Sequence, residues 1–327
     1  MAGSGKSGRT KGAGCADEPF QCRVSVFAWS QAGNASPALR GASGRSGGDM
    51  AKRGSLGSGY QSMTVAIVIP ARHASTRYPG KPLALLRGAT GEARSLVRRS
   101  WDAACAVPGV DRVIVATDDD RIADHAAGFG ADVAMTSPER RNGTERCAEV
   151  LDGLDPAPDL VVNLQGDAPL TPPDFVSALI DAMAADEAAQ VATPVLRCDA
   201  AALANFREDR RAGRVGGTTA VFDRRMRALY FSKEVIPYSD GAPADETPPV
   251  FHHVGLYAYR PGALTAYRGW APGPLETLEG LEQLRFLENG AELLCVEVAA
   301  RGRVFWELNN PVDVPRIEAA MAEAGIA

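Results

Sequence analysis

From Met63 onward the chain alternates short apolar runs with amphipathic stretches. Val65–Pro70, Arg112–Thr117, Asp132–Thr136 and Leu160–Leu164 are brief and rich in Val and Ile, the pattern of strands buried on both faces. Between them, Glu92–Ala106, Asp119–Phe129 and Thr144–Leu154 space their apolar residues at helical period. Strand and helix in alternation predict an α/β fold, a doubly wound, mostly parallel sheet with helices on both faces. The second half is more mixed. Val191–Val195, Thr218–Phe222, Val254–Tyr259 and Glu292–Val298 have the character of strands, and Leu278–Leu287 and Val314–Ala324 that of helices. No internal repeat is visible, so residues 63–327 are expected to form one α/β domain, with room for a dimerisation insertion in the second half. Ligands of such sheets bind beyond the carboxyl ends of the strands, which makes the loops there the places to search.

Residues 1–62 break the pattern. They hold 13 Gly and 10 Ser, and 8 Lys/Arg against 3 Asp/Glu, a composition too poor in apolar surface to offset the entropy of ordering it. A disordered extension is expected. Gly3-Ser4-Gly5-Lys6-Ser7 imitates the end of a phosphate-binding loop, but neither a buried strand before it nor a helix after it supports that reading.

Composition narrows the function. The net charge of -5 gives no reason to expect a nucleic-acid partner. No apolar run reaches the roughly 18 residues that span a membrane. The six cysteines are scattered without a C-x-x-C pair, which reads as reduced thiols. A cytoplasmic protein is expected.

Candidate chemistry gathers at two strand ends. The first strand runs into Pro70-Ala71-Arg72-His73-Ala74-Ser75-Thr76-Arg77-Tyr78-Pro79-Gly80-Lys81-Pro82, where Arg72, Arg77 and Lys81 can offset polyphosphate charge and Ser75 can hold a phosphate oxygen. A solvated basic loop is the plainer alternative. The fourth strand ends in Gln165-Gly166-Asp167, an Asp suited to Mg²⁺ or, equally, a turn residue. Asn142-Gly143-Thr144-Glu145-Arg146 opens a helix whose first amides can contact a base or phosphate, or simply start the helix.

These segments recur in order with Ala228-Leu229-Tyr230-Phe231-Ser232, His253-Val254-Gly255-Leu256-Tyr257 and Leu281-Glu282-Gln283-Leu284-Arg285. Together they resemble the 3-deoxy-manno-octulosonate (Kdo) cytidylyltransferase family across 63–327. The resemblance implies a nucleotide-diphospho-sugar transferase-like fold and transfer of CMP from CTP to Kdo, giving CMP-Kdo and pyrophosphate, within lipopolysaccharide or capsule synthesis. It implies that Arg72, Ser75 and Lys81 contact the CTP phosphates and Gln165 the nucleotide. Asp167 would hold Mg²⁺, and His253, Tyr257, Glu282 and Gln283 would line the sugar-acid pocket. A homodimer is implied as well.

The chain departs from the family pattern at three places. Ala168 stands for a Glu, Ala220 for a Lys, and Asn309 for an Asp that supplies a second metal carboxylate. Asn309 can still offer an oxygen to the metal but no charge, and Glu307 or Asp313 can stand in for it. Activity is expected to survive, since Arg72, Lys81 and Asp167 remain. The competing expectations are a cytidylyltransferase for another acidic sugar (amino-Kdo or a sialic acid) and a nucleotide-binding homologue without catalysis.

Overall fold

The computed structural model describes residues 63–74, 77–215, 217–239, 249–303 and 307–326. The extension 1–62, its phosphate-loop-like run and Ser75 lie outside them.

The first half follows the expected alternation. Strands β1 (Val65–Ala71), β4 (Arg112–Thr117), β5 (Asp132–Met135) and β6 (Leu160–Leu164) pair in parallel in the order β5-β4-β1-β6. Helices α1 (Leu96–Cys105), α2 (Asp120–Gly128) and α3 (Gly143–Leu151) connect them. Residues 92–95 do not continue α1 as expected. Ala93–Ser95 (β3) instead pairs with Leu85–Arg87 (β2) in a small antiparallel hairpin, and the Ser95 side chain caps α1 by accepting from Arg98 N at 3.3 Å. The buried Arg99 side chain fastens the hairpin by donating to the Leu86 and Glu92 carbonyls.

The sheet then changes character. After α4 (Pro173–Ala185), strand β7 (Val191–Arg197) runs in the same sense as β6, separated from it by an antiparallel strand. Helix α5 (Ala200–Arg211) leads to β8 (Thr218–Phe222) and β9 (Ala228–Ser232), an antiparallel pair. The expected strand 254–259 forms over its last four residues, and a strand not expected from the sequence lies just before it. Phe251–His253 (β10) and Leu256–Tyr259 (β11) run along one edge of β7, broken at Val254–Gly255. On its far side β11 holds β6, whereas β10 holds β8. The sheet therefore forks at the carboxyl end of β6. Helices α6 (Pro261–Gly269), α7 (Pro274–Glu279) and α8 (Leu284–Glu288) follow, then β12 (Leu294–Val298), parallel to β7 on its other edge, and α9 (Val314–Glu323). In the central path β5-β4-β1-β6-β11-β7-β12, β11 alone is reversed.

The helix expected over 278–287 is interrupted. Gly280 adopts φ +62°, the left-handed conformation that ends a helix at low cost only for glycine. The chain restarts as α8 four residues later, leaving Glu282 and Gln283 on the connecting turn. Two apolar cores fill the faces of the sheet, one under α3, α6 and α8, the other under α1 and α4.

Candidate active site

Strand ends, not helices, bring the polar residues together. Gly166 lies so close to β1 that a Cβ there would sit 2.5 Å from the Pro70 carbonyl oxygen. Only glycine lets the tip of β6 touch the tip of β1, and this contact sets the Gln165–Asp167 turn beside the Arg72–Lys81 loop. Lys81 Nζ reaches Asp167 Oδ2 at 2.7 Å, an ion pair shielded on the Lys side. The Leu308 amide donates to the Asp167 carbonyl at 2.8 Å, fastening residues 307–309 to the same tip.

Around that pair stand further charges. Arg77 Nη2 donates to Asn309 Oδ1 at 2.9 Å, and Asn309 Nδ2 approaches Glu307 Oε2 at 3.5 Å. Burial, then the nearby Asp167 charge, lifts the Glu307 carboxyl to about 7, against the restraining Asn309 amide, Lys81 and Arg77. Arg72 Nη1 lies 3.4 Å from the Arg141 carbonyl, bridging the first loop to the start of α3. The donors near Asp167 are all oxygen, two carboxylates and one amide, which is the set a hard divalent cation takes. Positive groups already lie against two of them, Lys81 on Asp167 and Arg77 on Asn309. Among the described residues no group of three or more His, Cys, Asp or Glu side chains gathers as a metal cluster.

The opposite wall is packed. Glu282 accepts from Thr144 N at 2.8 Å and from Gln165 Nε2 at 3.1 Å, joining the α7–α8 turn, the start of α3 and the tip of β6. Burial lifts the Glu282 carboxyl above its ordinary value, while the Thr144 and Gln165 hydrogen bonds pull it back. Asn142 caps α3 by accepting from Glu145 N at 2.8 Å, and Thr144 Oγ1 pairs with the Tyr259 hydroxyl at 2.7 Å. The Thr144 and Glu145 amides, candidate ligand donors from sequence, are thus already engaged by protein oxygens. Gly143 packs against Asn163, where a Cβ would meet the side-chain nitrogen at 2.7 Å.

Below this wall the remaining candidates are buried. Tyr257 OH donates to Gln283 Oε1 at 3.0 Å, and His253 Nε2 lies 2.9 Å from Thr193 Oγ1 with its ring against Phe231. Desolvation drops the His253 imidazole to about 3, so it is neutral near pH 7. Arg285 binds both oxygens of Glu276, at 2.6 and 2.7 Å, and Glu145 at 3.0 Å, stacked over Tyr267.

The structure brings Arg72, Arg77, Lys81, Gln165, Asp167, Glu282 and Asn309 together at one edge, where the sequence reading places the basic loop and Asp167. His253, Tyr257 and Gln283 line the interior behind it. Sequence reasoning did not anticipate Asn163, fully buried with neither side-chain polar atom paired among the described residues, nor the Thr144–Tyr259 contact. Neither has a local pattern, because each depends on segments far apart in the sequence.

A basic loop and an acidic turn meeting over the carboxyl edge of an open sheet, beside a helix start, are the attributes of a nucleotidyltransferase. A family profile described as cytidylyltransferase matches residues 66–294. The 3-deoxy-manno-octulosonate cytidylyltransferase of Maricaulis maris is 44% identical over 263 residues, 80% of this chain and 99% of that protein. That of Syntrophotalea carbinolica is 42% identical, spanning 79% of this chain and 98% of the relative. Among solved structures, a CMP:2-keto-3-deoxy-manno-octonic acid synthetase complexed with CTP superposes with a TM-score of 0.69 at 34% identity, covering 80% of this chain and 99% of that one. The chain belongs to the 3-deoxy-manno-octulosonate cytidylyltransferase family.

Proposed function

We propose that the protein transfers CMP from CTP to 3-deoxy-manno-octulosonate, releasing pyrophosphate. The observation that carries this reading is the meeting of Lys81 and Asp167 at 2.7 Å over the tips of β1 and β6, with Gln165 and Glu282 on the facing wall. The family relatives at 42–44% identity favour this sugar over another acidic one.

In this reading the anomeric hydroxyl of the sugar attacks the α-phosphorus of CTP. Arg72, Arg77 and Lys81 offset the charge that accumulates on the phosphate oxygens, and Ser75 adds a hydroxyl donor from the same loop. Gln165 orients the nucleotide, and Gly143 and Thr144, whose amide is held by Glu282, fix the start of α3 beside it. Glu282 reads the sugar, with Gln283, Tyr257 and His253 fixing its position from beneath. Mg²⁺ would be held by Asp167, with Asn309 or Glu307 completing the oxygen set, and when bound would neutralise phosphate charge. Positioning and charge compensation then supply most of the rate, with no covalent enzyme intermediate. A homodimeric, cytoplasmic enzyme serving lipopolysaccharide or capsule synthesis is part of the same proposal.

Pyrophosphate release tests it. Release requiring both CTP and 3-deoxy-manno-octulosonate is expected. Equal or faster release with amino-Kdo or a sialic acid would reassign the sugar, and nucleotide binding without release would make the protein a silent homologue.

A further inference from the structure

We propose that Glu307 supplies the second carboxylate of the divalent-cation site opposite Asp167, and that Asn309 positions Glu307 rather than binding the cation. This rests on the nucleotidyl-transfer reading above.

Asn309 is already engaged at both ends of its side-chain amide. Its single side-chain oxygen accepts from the Arg77 guanidinium at 2.9 Å, and its nitrogen faces Glu307 Oε2 at 3.5 Å. Reversing the amide would set its NH₂ against guanidinium donors and its oxygen against a carboxylate, two repulsive contacts in place of two attractive ones. The partners therefore fix the amide with its oxygen on Arg77. An amide oxygen so engaged is a poor cation ligand, and it carries no charge in any case.

The other acid nearby is committed elsewhere. Asp313 Oδ2 accepts from the Asn309 amide at 3.0 Å and from the Asn310 amide at 2.7 Å, closing the turn that starts the C-terminal helical segment. Removing it from those amides would open the turn that holds Asn309.

Glu307 has neither commitment. Its Oε2 meets the Asn309 amide at the edge of hydrogen-bonding distance, and its Oε1 lies toward Gly255, at the break where the sheet forks, 3.6 Å from where a Cβ on that glycine would be. Gln165 flanks the same spot, its Cγ 3.7 Å from that Cβ position. The Leu308–Asp167 backbone hydrogen bond fixes Glu307 relative to the tip of β6, and Asp167, Lys81 and Arg77 all act on it electrostatically. A divalent cation needs charge as well as oxygen. Asp167 and Glu307 provide two negative charges on oxygen, which Asp167 and Asn309 do not. The carboxylate absent at Asn309 is thereby regained two residues upstream.

The test is Mn²⁺ binding, followed by electron paramagnetic resonance, to the full chain saturated with a CTP analogue carrying a methylene between the α- and β-phosphorus. Glu307→Gln is expected to weaken Mn²⁺ binding about tenfold or more, the scale on which even groups outside the ligand set act. Glu307→Gln combined with Asn309→Asp is expected to recover most of the loss, by returning a carboxylate to the site. Wild-type affinity in Glu307→Gln would overturn the inference and leave the metal reading intact. Absence of Mn²⁺ binding by the wild-type complex would instead overturn both. Analogue binding without metal reports whether each variant is folded. Should Glu307→Gln not fold, Glu307→Asp carries the test, because withdrawing the carboxylate by one methylene must also weaken Mn²⁺, and unchanged affinity would overturn the inference.

Discussion

On one wall of the site Thr144, Gln165 and Glu282 are joined by hydrogen bonds over a floor of Tyr257, Tyr259 and Tyr267. On the other, Arg77, Lys81, Asp167, Glu307 and Asn309 meet as charged and amide groups at the ends of loops, with Arg77 exposed. The first wall is the firmer because Thr144 and Gln165 both donate to Glu282, so opening it strands those donors in the interior. The second is held by one partly shielded ion pair, Lys81–Asp167, and by the hydrogen bonds that join Asn309 to Arg77 and Glu307, contacts that a ligand's charges can replace. The difference suits the two partners of the proposed reaction: a fixed surface to read shape, and a set of charges that rearranges around phosphates and a cation.

The largest effect is expected where the packed wall is broken. Arg285→Ala removes the counter-ion of Glu145 and Glu276 in a region where the Arg side chain is 3% exposed and each Glu 11%. Loss of one partner of such a buried pair costs about 3–5 kcal/mol, which urea unfolding would register. A cost under 1 kcal/mol would mean that this wall relaxes as freely as the other.

On the charged wall, Asp167→Ala is expected to lower kcat for pyrophosphate release about 10²–10³-fold, comparable with removing one preorganised electrostatic group. Its unfolding free energy should change less than in Arg285→Ala, because the Lys81 and Asp167 side chains are 14% and 28% exposed against 3% and 11% there. Unchanged metal-dependent turnover would sink the assignment of Asp167 to the cation.

The walls should also respond to pH with opposite sign. His253 falls from an ordinary 6.5 to about 3 in the fold, so the stability it contributes is present above pH 6.5 and lost as the pH falls toward 3. Glu307 rises from 4.5 to about 7, so its contribution is present below pH 4.5 and lost as the pH rises to 7. Thermal unfolding followed across pH 3–8 with a chelator present should show Glu307→Gln flattening the descending limb and His253→Gln the acid one. The same limb flattened by both would contradict the distinction.

The smallest effect belongs to a contact outside both walls. Arg197 and Glu297 pair at 3.4 Å with about half of each side chain exposed, so Glu297→Ala should cost under about 1 kcal/mol by denaturant midpoint.

Much of the charged wall was legible in the sequence because its residues are local. Arg72 through Lys81 lie in one loop, and Gln165-Gly166-Asp167 in one turn, each directly after an apolar run that could only be a buried strand. The packed wall was legible only through resemblance. Thr144 and Glu282 are 138 residues apart, and nothing in either segment announces the other. The forked sheet was invisible for a related reason. Strand character is read from the sequence only over Val254–Tyr259, and pairing of Phe251–His253 with β8 and of Leu256–Tyr259 with β6 reveals the break at Val254–Gly255. Glu307 escaped assignment because its neighbours Asn309 and Asp313 appear equally suited until the hydrogen bonds show both to be engaged.

The most direct measurement is pyrophosphate release by the full chain with CTP, Mg²⁺ and 3-deoxy-manno-octulosonate, with ATP, GTP and UTP as controls. Release is expected to require the cytidine nucleotide, the sugar acid and the metal together. CTP binding without release would contradict it, and would mean that Ala168, Ala220 and Asn309 together have silenced the site.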